Sequence, residues 1–281
     1  MNIGCHVSIA GGVNTAPERA HDLGCECFQM FSRSPKGGKT PPLTQEVVTV
    51  FHEEMERTGI ENAYIHAPYY INFASANTRI RYGSINAIRE ELERASVLGV
   101  KYVITHLGSS KDLGKEAGVK KVAEMMFGIF ADYQGSAQLL IENSAGAGNI
   151  IGDSFQEIKT ITDTVNNKHI GGVCLDTQHA FASGYDWRTK KSFSKAIKQI
   201  DNEIGLDAIK VIHANDSMTE LNSRRDRHEH IGVGYIKEEG FRPIVALAEE
   251  RNIDMVLETQ HAGIKNDLRL LKLFRDEAIN G

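Results

Sequence analysis

Leu139-Leu140-Ile141-Glu142 is a short apolar run closed by a carboxylate. A charged side chain at the end of a buried strand is costly unless it has a partner. Five more runs close in the same way: Tyr64-Ile65-His66, Val103-Ile104-Thr105-His106, Val173-Cys174-Leu175-Asp176, Val211-Ile212-His213 and Met255-Val256-Leu257-Glu258. Six such ends at roughly even spacing fit a parallel barrel whose strands converge on one shared mouth.

Working outward, the chain offers eight strand candidates: Ile3–Ser8, Cys25–Phe31, Asn62–His66, Tyr102–His106, Gln138–Glu142, Gly172–Asp176, Lys210–His213 and Asp254–Glu258. Most are short and apolar on both faces, as strands covered on both sides are. Amphipathic stretches lie between them at Asn86–Leu98, Glu116–Phe130, Lys191–Ile204 and Phe241–Asn252, and Lys265–Ile279 closes the chain as a Leu-rich helix. Pro243 is expected in a first helical turn, and Gly59 and Gly99 as helix C-caps.

Strand–helix alternations of roughly 35 residues predict a (β/α)8 TIM barrel with its active site at the C-terminal ends of the strands. The whole span 1–281 reads as a single domain. A doubly wound open sheet is the competing architecture. Ala10-Gly11-Gly12-Val13 is a weak version of its phosphate turn, and no acidic residue closes the second strand. Ser32–Pro42, rich in Pro, Gly and Lys, reads as a loop after that strand.

The 281 residues are 41% hydrophobic and 25% charged, as in ordinary globular proteins. No run approaches the ~20 apolar residues of a membrane helix. The start, Met1-Asn2-Ile3-Gly4-Cys5-His6, lacks the pattern of a secretory signal, so a cytoplasmic protein is expected. Four cysteines give little disulfide potential, and Cys25-Glu26-Cys27 lacks the spacer of a zinc knuckle. A formal net charge of -5 argues against a nonspecific nucleic-acid binder, but three divalent cations would bring it to +1 and concentrate the positive charge at one place.

Strand order groups the candidate ligands. His66, His106 and Glu142 end strands three to five. Glu142, Asp176, His213 and Glu258 end strands five to eight, so Glu142 is placed to bridge two metal positions. His179, just beyond strand six, and the Asp226-Arg227-His228 loop make a third position, with His230 competing with His228 as the loop ligand. Nitrogen with carboxylate donors suits Zn²⁺ or Mn²⁺ better than Ca²⁺. A single histidine at a strand end is more often a hydrogen-bonded structural residue, but six matched ends with two flanking motifs form a metal constellation. His21, His52 and His169 are expected at the solvent surface, His261 is ambiguous, and His6 is expected to line the mouth behind the ligands.

At this point the chain resembles endonuclease IV, the family-2 apurinic/apyrimidinic endonucleases, over essentially its whole length. The matching segments are Gly4-Cys5-His6-Val7-Ser8, His66-Ala67-Pro68-Tyr69-Tyr70-Ile71-Asn72, Glu142-Asn143-Ser144-Ala145-Gly146, Cys174-Leu175-Asp176-Thr177-Gln178-His179, His213-Ala214-Asn215-Asp216-Ser217 and Asp226-Arg227-His228. The resemblance implies three zinc ions. His66, His106 and Glu142 would hold the first, Glu142, Asp176, His213 and Glu258 the second, and His179, Asp226 and His228 the third. It also implies hydrolysis 5′ to an abasic site in double-stranded DNA, leaving a 3′-hydroxyl, with removal of 3′ blocking groups as a second activity in base excision repair. Glu142, Glu258 and Asp226 are the expected catalytic carboxylates.

The chain departs from the family pattern at Lys36 and Gly38 in a DNA-facing loop, and at Gln178, Met218 and Asn222. Lys36, with Arg33 and Lys39, and the Arg224-Arg225-Asp226-Arg227 loop are basic and lie on the expected catalytic face, so Lys36, Arg225 and Arg227 are candidate phosphate contacts. Tyr69 and Tyr70 follow ligand His66, and one of them, with Tyr69 favoured, is a candidate wedge into the base stack; loop packing is the bland alternative. A single-metal sugar isomerase or epimerase of the xylose-isomerase-like barrels is the rival reading, since it shares Glu142, Asp176, His179, His213 and Glu258 but has no need of His66, His106, Asp226 and His228 as ligands. A DNA-binding protein without catalysis is a third reading, and the complete ligand set argues against it. A monomer is the default, since an open barrel mouth needs no partner subunit.

Overall fold

The structure, a computed structural model, describes residues 1–280. Among these residues ten strands occur in chain order: β1 (Ile3–His6), β2 (Cys27–Met30), β3 (Asn62–His66), β4 (Tyr102–Thr105), β5 (Gln138–Glu142), β6 (Ile170–Asp176), β7 (Ile209–His213), β8 (Asp216–Ser217), β9 (His228–Glu229) and β10 (Asp254–Leu257). All but β8 and β9 close into one parallel barrel, in the order β1-β10-β7-β6-β5-β4-β3-β2. The two short strands form a separate antiparallel ribbon above it, with Ser217 opposite His228.

Among the described residues, nine α-helices cover and cap the barrel: α1 (Ala16–Leu23), α2 (Gln45–Thr58), α3 (Thr78–Val97), α4 (Lys115–Phe130), α5 (Phe155–Val165), α6 (Thr177–Ala182), α7 (Lys190–Ile204), α8 (Lys237–Glu250) and α9 (Ile264–Asn280). The (β/α)8 barrel expected from sequence is the fold, and the open-sheet alternative is excluded by closure. The α3 and α8 helices start earlier than their apolar periodicity suggested. Pro243 therefore sits inside α8 and not in its first turn. Gly59 does cap α2 in a left-handed conformation, φ 70°.

Side chains alternate across the barrel wall with the two-residue period of a strand. One set of buried residues, Cys27, Tyr64, Ile104, Leu140, Cys174, Val211 and Val256, packs against itself as a separate cluster that fills the barrel interior. The intervening residues, such as Phe28, Ile65, Val103, Ile141 and Leu175, join the larger core beneath the helices. Two positions beyond each interior residue comes a polar one: Gln29, His66, His106, Glu142, Asp176, His213 and Glu258. His6 closes β1 in the same layer. The barrel thus carries an apolar plug with a polar ring on top of it.

Candidate metal centre

Glu142 sits at the middle of that ring and is 1% exposed. Its Oε2 lies 3.1 Å from His66 Nε2 and 3.3 Å from His106 Nε2. Its Oε1 lies 3.2 Å from both His213 Nδ1 and His179 Nδ1. The two oxygens of one carboxylate are therefore divided between two sets of imidazoles. Glu258 Oε2 approaches His213 Nδ1 at 3.2 Å from the other side.

Local structure delivers the remaining groups. Asp176 ends β6 and caps α6, its Oδ1 accepting from the His179 backbone N–H at 2.6 Å. That cap fixes the first turn of the short helix and points His179 back over the barrel. The β8–β9 ribbon brings His228 Nε2 to 3.6 Å from Asp176 Oδ2 and 3.5 Å from His179 Nε2. Asp226 Oδ1 lies 3.3 Å from His179 Nε2 and 3.6 Å from His228 Nε2.

Three groups of ligand atoms result: His66, His106 and Glu142; Glu142, Asp176, His213 and Glu258; and Asp176, His179 and His228, with Asp226 at the rim of the last. The donor chemistry fits divalent cations. His66 Nδ1–H donates to the Ala67 carbonyl at 2.7 Å, which leaves Nε2 to face a carboxylate. His179 Nδ1–H likewise donates to the Asn143 carbonyl at 3.0 Å. A lone pair aimed at a carboxylate is repulsive unless a proton or a cation lies between them, and backbone-anchored imidazoles are the usual support of metal ligands.

Without a cation, protons take that place. Burial raises the Glu142 carboxyl, but His106 and His213 outweigh it and hold it well below the usual carboxylate range. Burial is outweighed at Glu258 as well, chiefly by His213, and its value falls to about 2. Burial lowers His179, yet Asp176, Asp226 and Glu142 bring it well above its ordinary value. His213 is raised in the same sense against its burial, by Cys174, Glu258 and Glu142. His6 behaves oppositely: burial dominates and lowers it to about 4, so it is neutral at physiological pH.

All nine candidate ligands expected from sequence converge here, and His6 lines the same mouth. His230 turns away: its Nδ1 lies 2.7 Å from Asp267 Oδ2, so His228 and not His230 is the loop residue that faces the site. Arg33 is a correction. It is buried, 6% exposed, and bonds Glu91, Glu90, Thr40 and the Ala87 carbonyl, so it is committed to the fold and not offered to DNA. Lys36, Arg225 and Arg227 are exposed. Arg224 is paired with Asp153. His169 packs edge-on against Tyr133 at 4.7 Å and is half-buried, not solvent-facing.

A cavity of about 450 Å³ opens over the ring, lined by His6, His66, Tyr69, His106, Asp226 and Glu258 among others. A second, of about 340 Å³, adjoins it beyond His106 and His179 and shares Tyr69. Tyr69 stands between them, 68% exposed, with Phe31 edge-on at 5.3 Å. Another cavity of about 430 Å³ lies at the opposite end of the barrel around Asp254. It gathers none of the three ligand groups and faces away from the strand C-termini.

Sequence reading missed several supporting residues. Asn215 Nδ2 donates to Asp176 Oδ2 at 2.7 Å, and its Oδ1 accepts from the Glu258 N–H at 2.9 Å. Asp216 accepts backbone N–H bonds from Gly232, Gly234 and Ile236, folding the chain after β9 back beneath the site. Gln29 bonds three residues of the ring. Its signal was available in the two-residue alternation from Cys27.

This barrel, with ligands on its strand ends, has recognisable kin. Residues 17–274 match the family pattern of the xylose isomerase-like TIM barrels. A probable endonuclease 4 of Methanoculleus marisnigri is 40% identical over 92% of each chain. A probable endonuclease 4 of Cenarchaeum symbiosum is 35% identical over 98% of this chain and 99% of its own. The crystal structure of endonuclease IV from Thermus thermophilus superposes with TM-score 0.87 at 30% identity, covering 99% of this chain and 100% of that one. A D-tagatose 3-epimerase-like protein shares the fold at TM-score 0.76 and 20% identity. The chain belongs to the endonuclease IV family, the DNA-cleaving hydrolases among these barrels.

Proposed function

We propose that this protein is a zinc-dependent apurinic/apyrimidinic endonuclease of base excision repair. It hydrolyses the phosphodiester 5′ to an abasic site in double-stranded DNA, leaves a 3′-hydroxyl and also clears 3′ blocking groups. It acts as a monomer through one domain spanning 1–281. The observation that carries this reading is the division of Glu142 between two imidazole sets, with a third set beside it.

His66, His106 and Glu142 would hold one cation, Glu142, Asp176, His213 and Glu258 a second, and His179, Asp226 and His228 a third. When bound, such ions supply Lewis acidity toward phosphate oxygens and lower the pKa of water toward about 7. The chain's own groups do the rest. Glu142, Glu258 and Asp226 are all held below the usual carboxylate range, so they are ionised at neutral pH and available as acceptors for a water proton. Asp226 is the most exposed of the three at 55% of its side chain, which suits the rim where a leaving oxygen departs.

Lys36, Arg225 and Arg227, exposed on the loops after β2 and before β9, would serve as phosphate contacts, which position the duplex without reading its sequence. Tyr69 projects as the wedge that fills the gap at a missing base, with Tyr70 beside it. The sugar-epimerase alternative uses Glu142, Asp176, His179, His213 and Glu258 and leaves His66, His106, Asp226 and His228 without a role.

An end-labelled duplex with a single abasic site tests the proposal. Incision should yield a 3′ end that a polymerase extends directly, and elemental analysis should find about three zinc per chain. Fully metallated protein that leaves the duplex intact would refute the proposal, and one metal per chain would favour the epimerase reading.

A further inference from the structure

Two of the eight barrel strands bring no candidate ligand to the ring at or just beyond their ends: β1, which ends in His6, and β2, which contributes Gln29. Gln29 is 0% exposed, and a buried amide must satisfy two donors and an acceptor. Here all three are used on the ring itself. Its Oε1 accepts from His213 Nε2 at 2.7 Å. Its Nε2 donates to Glu258 Oε1 at 2.6 Å and to His6 Nδ1 at 3.0 Å.

The orientation of that amide is decided by charge. Turned over, it would set its oxygen against the ionised Glu258 carboxylate, which is repulsive. Held as it is, it presents an acceptor to His213 Nε2, so the ring carries a proton there. The lone pair of neutral His213 then falls on Nδ1, the atom 3.2 Å from Glu142 Oε1 and from Glu258 Oε2. The reverse tautomer would aim an N–H at those carboxylates and could not bind a cation between them. The same amide holds Glu258 Oε1 outside the group and leaves Oε2 facing in. His6 Nδ1, 3.0 Å away, takes the second amide proton.

We propose that Gln29 is a positioning residue for the cation held by Glu142, Asp176, His213 and Glu258, selecting the His213 tautomer and the Glu258 oxygen that face it. This rests on the metal reading given above. Loss of such an outer partner typically weakens metal affinity by about 10–100-fold.

The test loads wild type and Gln29→Leu with cobalt(II), follows release to a chelator, and reads the His213 ring nitrogens by ¹⁵N NMR in the zinc-loaded form. Gln29→Met, unbranched like glutamine, replaces the leucine variant if that one does not fold. One cobalt per chain should leave about 10–100-fold faster while the others leave at the wild-type rate, and the His213 nitrogen shifts should change. Release and His213 signals identical to wild type overturn the proposal. So does equal weakening of every site, which marks a merely structural role. Wild type that retains no metal overturns the metal reading itself, and this inference with it.

Discussion

Glu142 is the residue on which the proposed number of ions turns. Its Oε2 faces His66 and His106 and its Oε1 faces His213, so removing its charge disturbs two groups at once; the third group keeps its own carboxylates, Asp176 and Asp226, and meets Glu142 only at His179 Nδ1, whose proton goes to the Asn143 carbonyl. Glu142→Gln keeps the size and one acceptor but strands several imidazoles without their anion. Metal content should fall to about one ion per chain, and incision should drop by at least about a hundredfold. Elemental analysis alongside a single-turnover assay would show it, and an unchanged metal count would contradict the bridging role. Tyr69 carries a different duty. Its ring is exposed, leans on Phe31 and lies 6.5 Å, centroid to centroid, from the His66 ring. Base–aromatic stacking is worth ~1–3 kcal/mol, so Tyr69→Ala should weaken abasic-duplex binding by about 5–150-fold with metal content unchanged. Equal affinity in a filter-binding or anisotropy assay would leave loop packing as its role.

Elements place these residues, and the clearest case is the clamp between α3 and the loop after β2. Glu91, fully buried on α3, accepts from Arg33 Nε and from Ser32 Oγ, and Arg94 from the same helix bonds the Ser32 and Pro41 carbonyls. The loop between them carries the exposed Lys36 and Lys39, and a Cβ built on Gly37 would lie 3.6 Å from the Tyr70 ring. Breaking a buried ion pair on one side costs about 3–5 kcal/mol because the remaining charge is stranded. Glu91→Ala should lower the unfolding free energy by about that amount in a urea titration, and raise KM for abasic DNA more than it lowers kcat. A loss under ~1 kcal/mol would mean the pair is solvated in solution. Arg33 also marks a limit of sequence reading. Its neighbours Lys36 and Lys39 made the loop look uniformly basic, and nothing local revealed a buried carboxylate 58 residues away. Pro243 fails for a related reason: tertiary packing extends α8 to Lys237, beyond its own apolar periodicity.

At the scale of the whole molecule, what was legible is what the barrel repeats. Ligands recur at strand ends because each strand passes through the same apolar plug and the same polar ring, so one observation was made six times over. The β8–β9 ribbon was not legible, since two-residue strands carry no periodicity, and neither were the amides Gln29 and Asn215, whose roles depend on partners from other strands. The ring also makes the protein's stability depend on pH and metal together. Without a cation, His66, His179 and His213 are raised above their ordinary value of 6.5, so their contribution is full below that pH and is lost as pH rises through the raised values. Glu142 and Glu258 are depressed from 4.5, so theirs is present above that pH and is lost as pH falls, for Glu258 toward about 2. The metal-free chain is therefore best supported by its own ring between those limits and loses that support on the alkaline side. Bound cations would replace the protons, since imidazoles ligate in their neutral form, so loading should release protons and affinity should rise with pH. Titration calorimetry near pH 7 in buffers of different ionisation enthalpy should register net proton release. Thermal melts from about pH 5 to 9 should show the Tm gap between loaded and metal-free protein widening as pH rises. A gap that stays constant, with no proton release, would mean that the imidazoles of the metal-free ring are already neutral and that hydrogen bonds, not charge, hold it together.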